Sequence, residues 1–182
     1  MGGSVERLGF IDSGYLRCVL GHFLTGVAVV TACVEDRPVG MTVNSFTSLS
    51  LEPPLVLFCA LASSVTGRQI SRSGAFAVNI LGMNQQGIAE RFTTRVDDRF
   101  AGVRTRPGAT GSPIIVEALS FVDCRVTDGI RRGDHSIVVG EVVDAGVLQE
   151  QEPLAFFRGS YIRPTVAPPP GWQASGTARA VY

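Results

Sequence analysis

The sequence predicts an antiparallel β-barrel with added helices, folded as one domain. Strand-like runs follow one another without regular helices between them, which favours an antiparallel barrel over a doubly wound parallel sheet. One of these runs, Leu55 to Ala62, is apolar on both faces, as expected of a strand in the middle of a barrel or sandwich. The chain has 182 residues, 45% hydrophobic and only 18% charged, against an average near ~25% charged. That is enough for one sizeable core and a tail, and too little for two catalytic domains.

Residues 1–11 read as a loose lead-in. Behind Asp12 and Ser13 as cap candidates, Leu16, Val19, Leu20 and Phe23 repeat at helical spacing and predict an amphipathic helix of about three turns. The β-branched run 27–35 ends at Asp36-Arg37-Pro38 and is followed by 39–48, which together predict a hairpin. Pro53-Pro54 stops the second strand and introduces the run 55–62. A short helix spans 65–73 and ends at Gly74, a suitable residue just past a helix end. Residues 75–81 return as a strand, and Asn84 is the cap candidate for a second short helix running to Phe92. Thr93 to Gly111 is polar, rich in Arg and Gly and without periodicity, so a surface loop is expected. Strands follow at 114–128, broken near Glu117, at 135–148 and at 153–159. The domain spans 12–163, and 164–182 forms a tail rich in Pro, Gly and Ala. The sum is six or seven short strands and three short helices.

Composition removes whole classes of function. Sixteen basic and sixteen acidic residues cancel, so no bulk field recruits nucleic acid or an anionic membrane. No run is long enough to cross a bilayer, and the N-terminus has no signal pattern, which points to the cytoplasm. All sixteen basic residues are arginine. Without lysine there is no Walker lysine, Schiff base or lysine general base. Cys18, Cys33, Cys59 and Cys124 stand apart without a C-x-x-C spacing and read as buried thiols rather than disulfides or zinc ligands. No dinucleotide glycine fingerprint, zinc helix or nucleophile elbow is present, and the two histidines have no second metal ligand nearby.

Three polar clusters remain. Thr42-Val43-Asn44-Ser45-Phe46-Thr47-Ser48 lies in an otherwise apolar strand, where alternation puts Thr42 and Ser48 on one face and Val43, Ser45 and Thr47 on the other. Hydroxyls and an amide there suit a planar heterocycle such as a flavin ring, although Thr and Ser also sit well in strands that simply face water. Ser63, Ser64, Thr66 and Arg68 lie where a strand hands over to a helix. Free backbone N–H groups and hydroxyls can hold phosphate there, or Ser64 is an ordinary cap. Arg131-Arg132-Gly133-Asp134-His135 delivers a histidine to the first position of a strand beside a carboxylate. That histidine either meets a ligand or closes its turn, while His22, near the first helix's apolar face, reads as structural.

These segments resemble a known family. FLTGVAVVT (23–31), GMTVNSFTSLSLEPPLVLFC (40–59), S-x-T (64–66), GAFAVNIL (74–81), RF (91–92), RFAGV (99–103), GDH (133–135) and RGSY (158–161) fall in the order seen in the short-chain flavin reductases. Those are the small NAD(P)H:flavin oxidoreductase components of two-component flavin-dependent monooxygenases. The resemblance covers residues 14–163 and implies the FMN-binding split barrel, a six-stranded antiparallel Greek-key barrel that forms a homodimer. It implies that Thr42, Val43, Asn44, Ser45, Phe46 and Ser48 line the isoalloxazine and ribityl chain. Cys59, Ser63, Ser64 and Thr66 would approach the ribityl and phosphate, with Arg91 and Phe92 closing the phosphate end. His135, Arg158, Gly159 and Tyr161 would face the nicotinamide nucleotide.

The cofactors so implied are FMN or FAD, and NADH, with NADPH favoured only if Arg132 meets a 2′-phosphate. Hydride transfer between two stacked rings is performed by the cofactors and needs no strong acid or base, which suits a chain with two histidines and no lysine. The partner would be a monooxygenase that consumes reduced flavin. Two rival readings are a split barrel that keeps its flavin for another tailoring reaction and a non-catalytic flavin-binding module.

Overall fold

The computed structural model describes residues 11–96 and 98–164. Helix α1 (Ser13–Leu20) leads into β1 (Thr25–Gly26), β2 (Ala28–Val34), β3 (Arg37–Val43), β4 (Thr47–Leu51) and β5 (Pro54–Leu61). Helix α2 (Val65–Arg72), β6 (Ala75–Ile80), a 3-10 turn at Met83–Gln85 and α3 (Gln86–Arg91) follow. The chain ends in β7 (Thr105–Pro107), β8 (Pro113–Ile115), β9 (Ser120–Arg132), β10 (His135–Val147), β11 (Ala155–Phe157) and β12 (Ser160–Ile162). The expected lead-in 1–11 and tail 164–182 lie, but for Ile11 and Pro164, outside the described residues.

Seven strands form one antiparallel sheet in the order β3-β2-β6-β9-β10-β5-β4. Its two edge strands, β3 and β4, are consecutive in sequence and joined by residues 44–46 alone. In a flat sheet the six intervening spacings would hold those edges roughly 29 Å apart, yet four Cα steps from Val43 to Thr47 reach at most about 14 Å. The sheet must therefore curl until its edges approach, which makes a barrel split along the β3/β4 seam. The continuous strand expected over 39–48 is thus two strands on opposite edges. That break adds the seventh strand, and the face alternation expected from Thr42 through Ser48 does not run across it.

The barrel interior is filled by even-numbered residues of β2 and β5, among them Ala28, Val30, Ala32, Val56, Phe58 and Ala60, with Phe76, Val138 and Ile70 of α2. The opposite face of β2 is buried too. Val27 and Val29 pack under Leu81, Ala89, Phe92, Ile115 and Leu154 in a second cluster outside the barrel. A strand covered on both sides explains the uninterrupted β-branched run there. Residues 108–112, part of the expected loop, are pinned over β9. The fully buried Asp123 carboxylate accepts from the backbone N–H and hydroxyl of Thr110.

Several local expectations change. Asp12 caps α1 as expected, accepting from Tyr15 N at 2.9 Å. However, α1 has eight residues rather than three turns and buries none of them. Asn84 is not the cap of the 83–91 segment. The Gln85 side chain turns back to accept from Gly82 N at 2.7 Å, so the element starts in a 3-10 turn. The expected loop 93–111 contains β7, paired to β8.

The thiols are a further correction. Cys18 and Cys33 are exposed, and only Cys124 is fully buried, because Cys18 lies on the uncovered helix and Cys33 near the outer end of β2. Burial, followed by the Asp123 charge, pushes the Cys124 thiol up to about 12, and burial raises Cys59 as well. Titration with a thiol reagent at pH 8 should modify Cys18 and Cys33 quickly, Cys59 slowly, and Cys124 only after denaturation. Rapid labelling of Cys124 in the native protein, read by peptide mass, would contradict this packing.

Candidate active site

The seam between β3 and β4 gathers most of the predicted flavin residues. Ser45, in the link, ties it to β5 by donating to Cys59 O and accepting from Cys59 N, both at 3.0 Å. Cys59 pairs with Ile137, and two residues on, Leu61 pairs with His135. Because strand neighbours two apart share a face, Cys59, Leu61, Ile137 and His135 form one wall on the outer side of the barrel. Ala62 N then donates to Asp134 O at 2.8 Å, which ties the turn carrying Ser63 and Ser64 to the GDH hairpin.

Across the seam, Thr42 donates to Ala89 O at 2.7 Å and so fastens β3 to α3. A cleft of about 150 Å³ opens beside it. Apolar Val27, Val43 and Phe156 line it together with polar Thr42, Asn44, Thr93 and Tyr161. Tyr161 belongs to β12, and its ring meets Phe156 edge-on at 5.4 Å. Burial, followed by the nearby charge of Glu90, raises the Tyr161 phenol, which keeps it a neutral donor. None of the described residues lining this cleft is acidic, although Glu90 lies close enough to act on Tyr161, and its mix of apolar and hydrogen-bonding groups fits a flat heterocycle.

At the start of α2, Ser64 is the helix cap, accepting from Gly67 N at 3.1 Å. Thr66 accepts from Arg99 Nη1 at 3.1 Å. Ser63 is exposed, as are Ser48 on edge strand β4 and Arg91 at the end of α3. Phe46 packs partly buried against the barrel core. Phe92 turns inward, 1% exposed. Arg158 and Gly159 form the tight turn between β11 and β12, where Arg158 N donates to Gly21 O at 2.9 Å just past α1. No hydrogen bond among the described residues joins that turn to His135.

His135 follows the two-residue turn Gly133–Asp134, whose first position has φ +59 and so favours glycine. Its Nδ1 lies 2.8 Å from Asp134 Oδ1. The hydrogen bond from His135, followed by the ring's charge, holds the Asp134 carboxyl below its ordinary value. The bond to Asp134 orients the ring through Nδ1, so that whenever the imidazole is neutral with its proton on Nδ1 the outward Nε2 is an acceptor. His22 bonds Cys18 O through Nδ1 and packs edge-on to Phe157, as a structural histidine does. Sequence reasoning missed Arg99, Thr93 and Phe156. For Arg99 the Arg-Phe pair at 99–100 is the signal, hidden in a stretch read as loop.

Fold and site together define an FMN-binding split barrel. The flavin reductase like domain matches residues 20–164, and the chain belongs to that family. It is 42% identical over 167 residues to the reductase subunit HsaB of a flavin-dependent monooxygenase from Mycobacterium tuberculosis, covering 90% of this chain and 89% of that one. It is 43% identical over 152 residues to a flavin reductase of Pseudomonas putida, covering 83% and 89% of the two chains. The crystal structure of nitrilotriacetate monooxygenase component B from Mycobacterium thermoresistibile superposes with a TM-score of 0.82 at 43% identity, covering 92% of this chain and 96% of that one. The Streptomyces globisporus NADH:FAD oxidoreductase SgcE6, solved with NAD and FAD fragments, gives 0.80 at 38% identity, covering 87% and 95%.

Proposed function

We infer that the chain is an NAD(P)H:flavin oxidoreductase that reduces FMN or FAD and supplies reduced flavin to a partner monooxygenase. The observation that carries this is the seam, where Thr42, Val43 and Asn44 meet Tyr161 in one cleft while Ser45 and Cys59 lead to His135 at the wall's other end. A bound flavin would supply the hydride-accepting ring, whose reduced form carries negative charge. Thr42, Asn44 and Tyr161 would hold the ring system, with Ser48 at the β4 edge. Ser63, Ser64, Thr66 and Arg91 would hold the ribityl and phosphate end. The His135 Nε2 acceptor suits the N–H₂ of a nicotinamide carboxamide, and Arg158 and Gly159 would meet the rest of that nucleotide. NADH is the preferred donor, because Arg132 Nη1 folds back onto Arg131 O at 2.8 Å rather than extending from the hairpin tip.

The same reading makes the protein a homodimer over domain 12–163. The cleft of about 150 Å³ is below the ~300 Å³ at which ligand pockets begin, and α1 leaves its apolar side chains uncovered. A second copy would cover the helix and complete the site. Among the described residues no helix is long and apolar enough to cross a membrane. The two exposed, unpaired thiols suit the reducing cytoplasm.

The test is NADH oxidation by the purified chain with and without added flavin. Oxidation that rises and saturates with free FMN or FAD is expected. A yellow protein that oxidises neither NADH nor NADPH would overturn the reading. His135→Ala should raise the KM for NADH or slow flavin reduction by about 5- to 100-fold with flavin affinity unchanged. If His135 only closes its turn, melting temperature falls while stopped-flow reduction at subsaturating NADH stays normal.

A further inference from the structure

Arg99 joins three elements that each carry a residue of the flavin site. Its Nε donates to Thr94 O just past α3 at 2.9 Å, and its Nη1 donates to Gly40 O of β3 at 2.9 Å and to Thr66 Oγ1 of α2 at 3.1 Å. The next residue, Phe100, stacks edge-on with Phe92 at 5.0 Å. Phe92 in turn lies so close to Gly40 that an added Cβ would come within 2.7 Å of its ring. Gly40 therefore has to be glycine, and the guanidinium is held on a rigid base. A cleft of about 270 Å³ opens over this junction, lined by Pro38, Gly40, Thr66, Asp98, Arg99 and Phe100. The Asp98 carboxylate is engaged within its own turn, accepting from Phe100 N at 2.8 Å.

We propose that Arg99 is the positioning residue for the phosphate end of the flavin site, acting through Thr66. The inference rests on the flavin reading above. A hydroxyl oxygen that accepts from a guanidinium turns its own proton elsewhere, and among the described residues Thr66 Oγ1 donates to no other group. Arg99 thus converts Thr66 into a donor facing the cleft and adds positive charge where a phosphate would sit. It also fixes the spacing of β3, α2 and the end of α3. A lysine cannot replace it, because one ammonium on a flexible stem does not match three acceptors presented to a planar fork.

The anion could belong to the flavin or to the dinucleotide, so the test separates them. Dissociation constants for FMN and for riboflavin, which lacks the phosphate, are measured by fluorescence quenching in wild type, Arg99→Gln, Arg99→Lys and Thr66→Val. NADH KM at saturating FMN is measured alongside. Arg99→Gln is expected to weaken FMN about tenfold while riboflavin affinity and NADH KM stay within about twofold. Arg99→Lys should recover only part of the loss. Thr66→Val, a near-isosteric change that keeps the fold even if Arg99→Gln does not, should show the same FMN-selective loss, and adding it to Arg99→Gln should cost nothing more. Equal loss for FMN and riboflavin, a rise in NADH KM alone, or additive losses in the double variant would overturn the proposal. A wild-type protein that binds neither flavin would instead remove the flavin reading itself.

Discussion

Phe92→Ala should cost the fold about 3–5 kcal/mol, the range for deleting a buried phenyl ring, and leave hydride transfer per folded molecule nearly unchanged. The ring is 1% exposed and sits among Val27, Val29, Leu81, Ala89, Ile115 and Leu154. It also fills the space beneath Gly40 and carries the edge of Phe100. Its removal leaves a void that three elements border and none can fill by a rotamer change. At about 2–4 °C per kcal/mol for a chain of this size, the melting temperature falls by many degrees. The neighbouring Arg91→Ala, at an exposed helix end, should stay within about 0.5 kcal/mol of wild-type stability. The resemblance assigned both residues to the phosphate end. A Phe92→Ala protein with normal melting temperature and strongly weakened FMN binding would support that assignment against the packing.

Wild type is expected to sediment near twice 19.3 kDa as the proposed dimer, and Leu20→Glu combined with Phe23→Glu to sediment as a monomer of 19.3 kDa. Leu20 is 62% and Phe23 75% exposed in the single chain, with Leu16, Val19 and Leu24 beside them. Burying two such side chains is worth about 3–6 kcal/mol per protomer, and a two-fold axis applies the change to both copies. The monomer should also lose most flavin reduction, since the seam cleft is then closed by nothing. A wild-type chain that is monomeric at micromolar concentration with bound flavin would refute the dimer and the shared site together.

Features set by neighbours within a few residues were readable in advance. Asp12 and Ser64 cap their helices because their side chains reach backbone N–H groups three residues on. The turn at Gly133–Asp134 follows from glycine's access to positive φ. The strands at 54–61 and 75–80 follow from apolar patterning, and the order of motifs carried the family. Asn84 failed as a cap for an equally local reason, since Gln85 offered Gly82 N a better partner.

Everything that depends on which distant segments meet was decided by the tertiary structure. A run such as 39–48 carries nothing that says its two halves belong to opposite edges of a curled sheet, because that break is imposed by closure rather than by strand propensity. Cys33 and Cys124 sit in similar apolar runs, yet one reaches solvent and the other the barrel core. Arg99 and Phe92 read as a loop cation and a site aromatic until the fold brings Gly40, Thr66 and Phe100 around them. Amino-acid type and local periodicity set which elements form and which chemistry is available. Long-range pairing alone sets which hydroxyl is already spent on the backbone, as at Ser45, and which is aimed outward by a neighbour, as at Thr66.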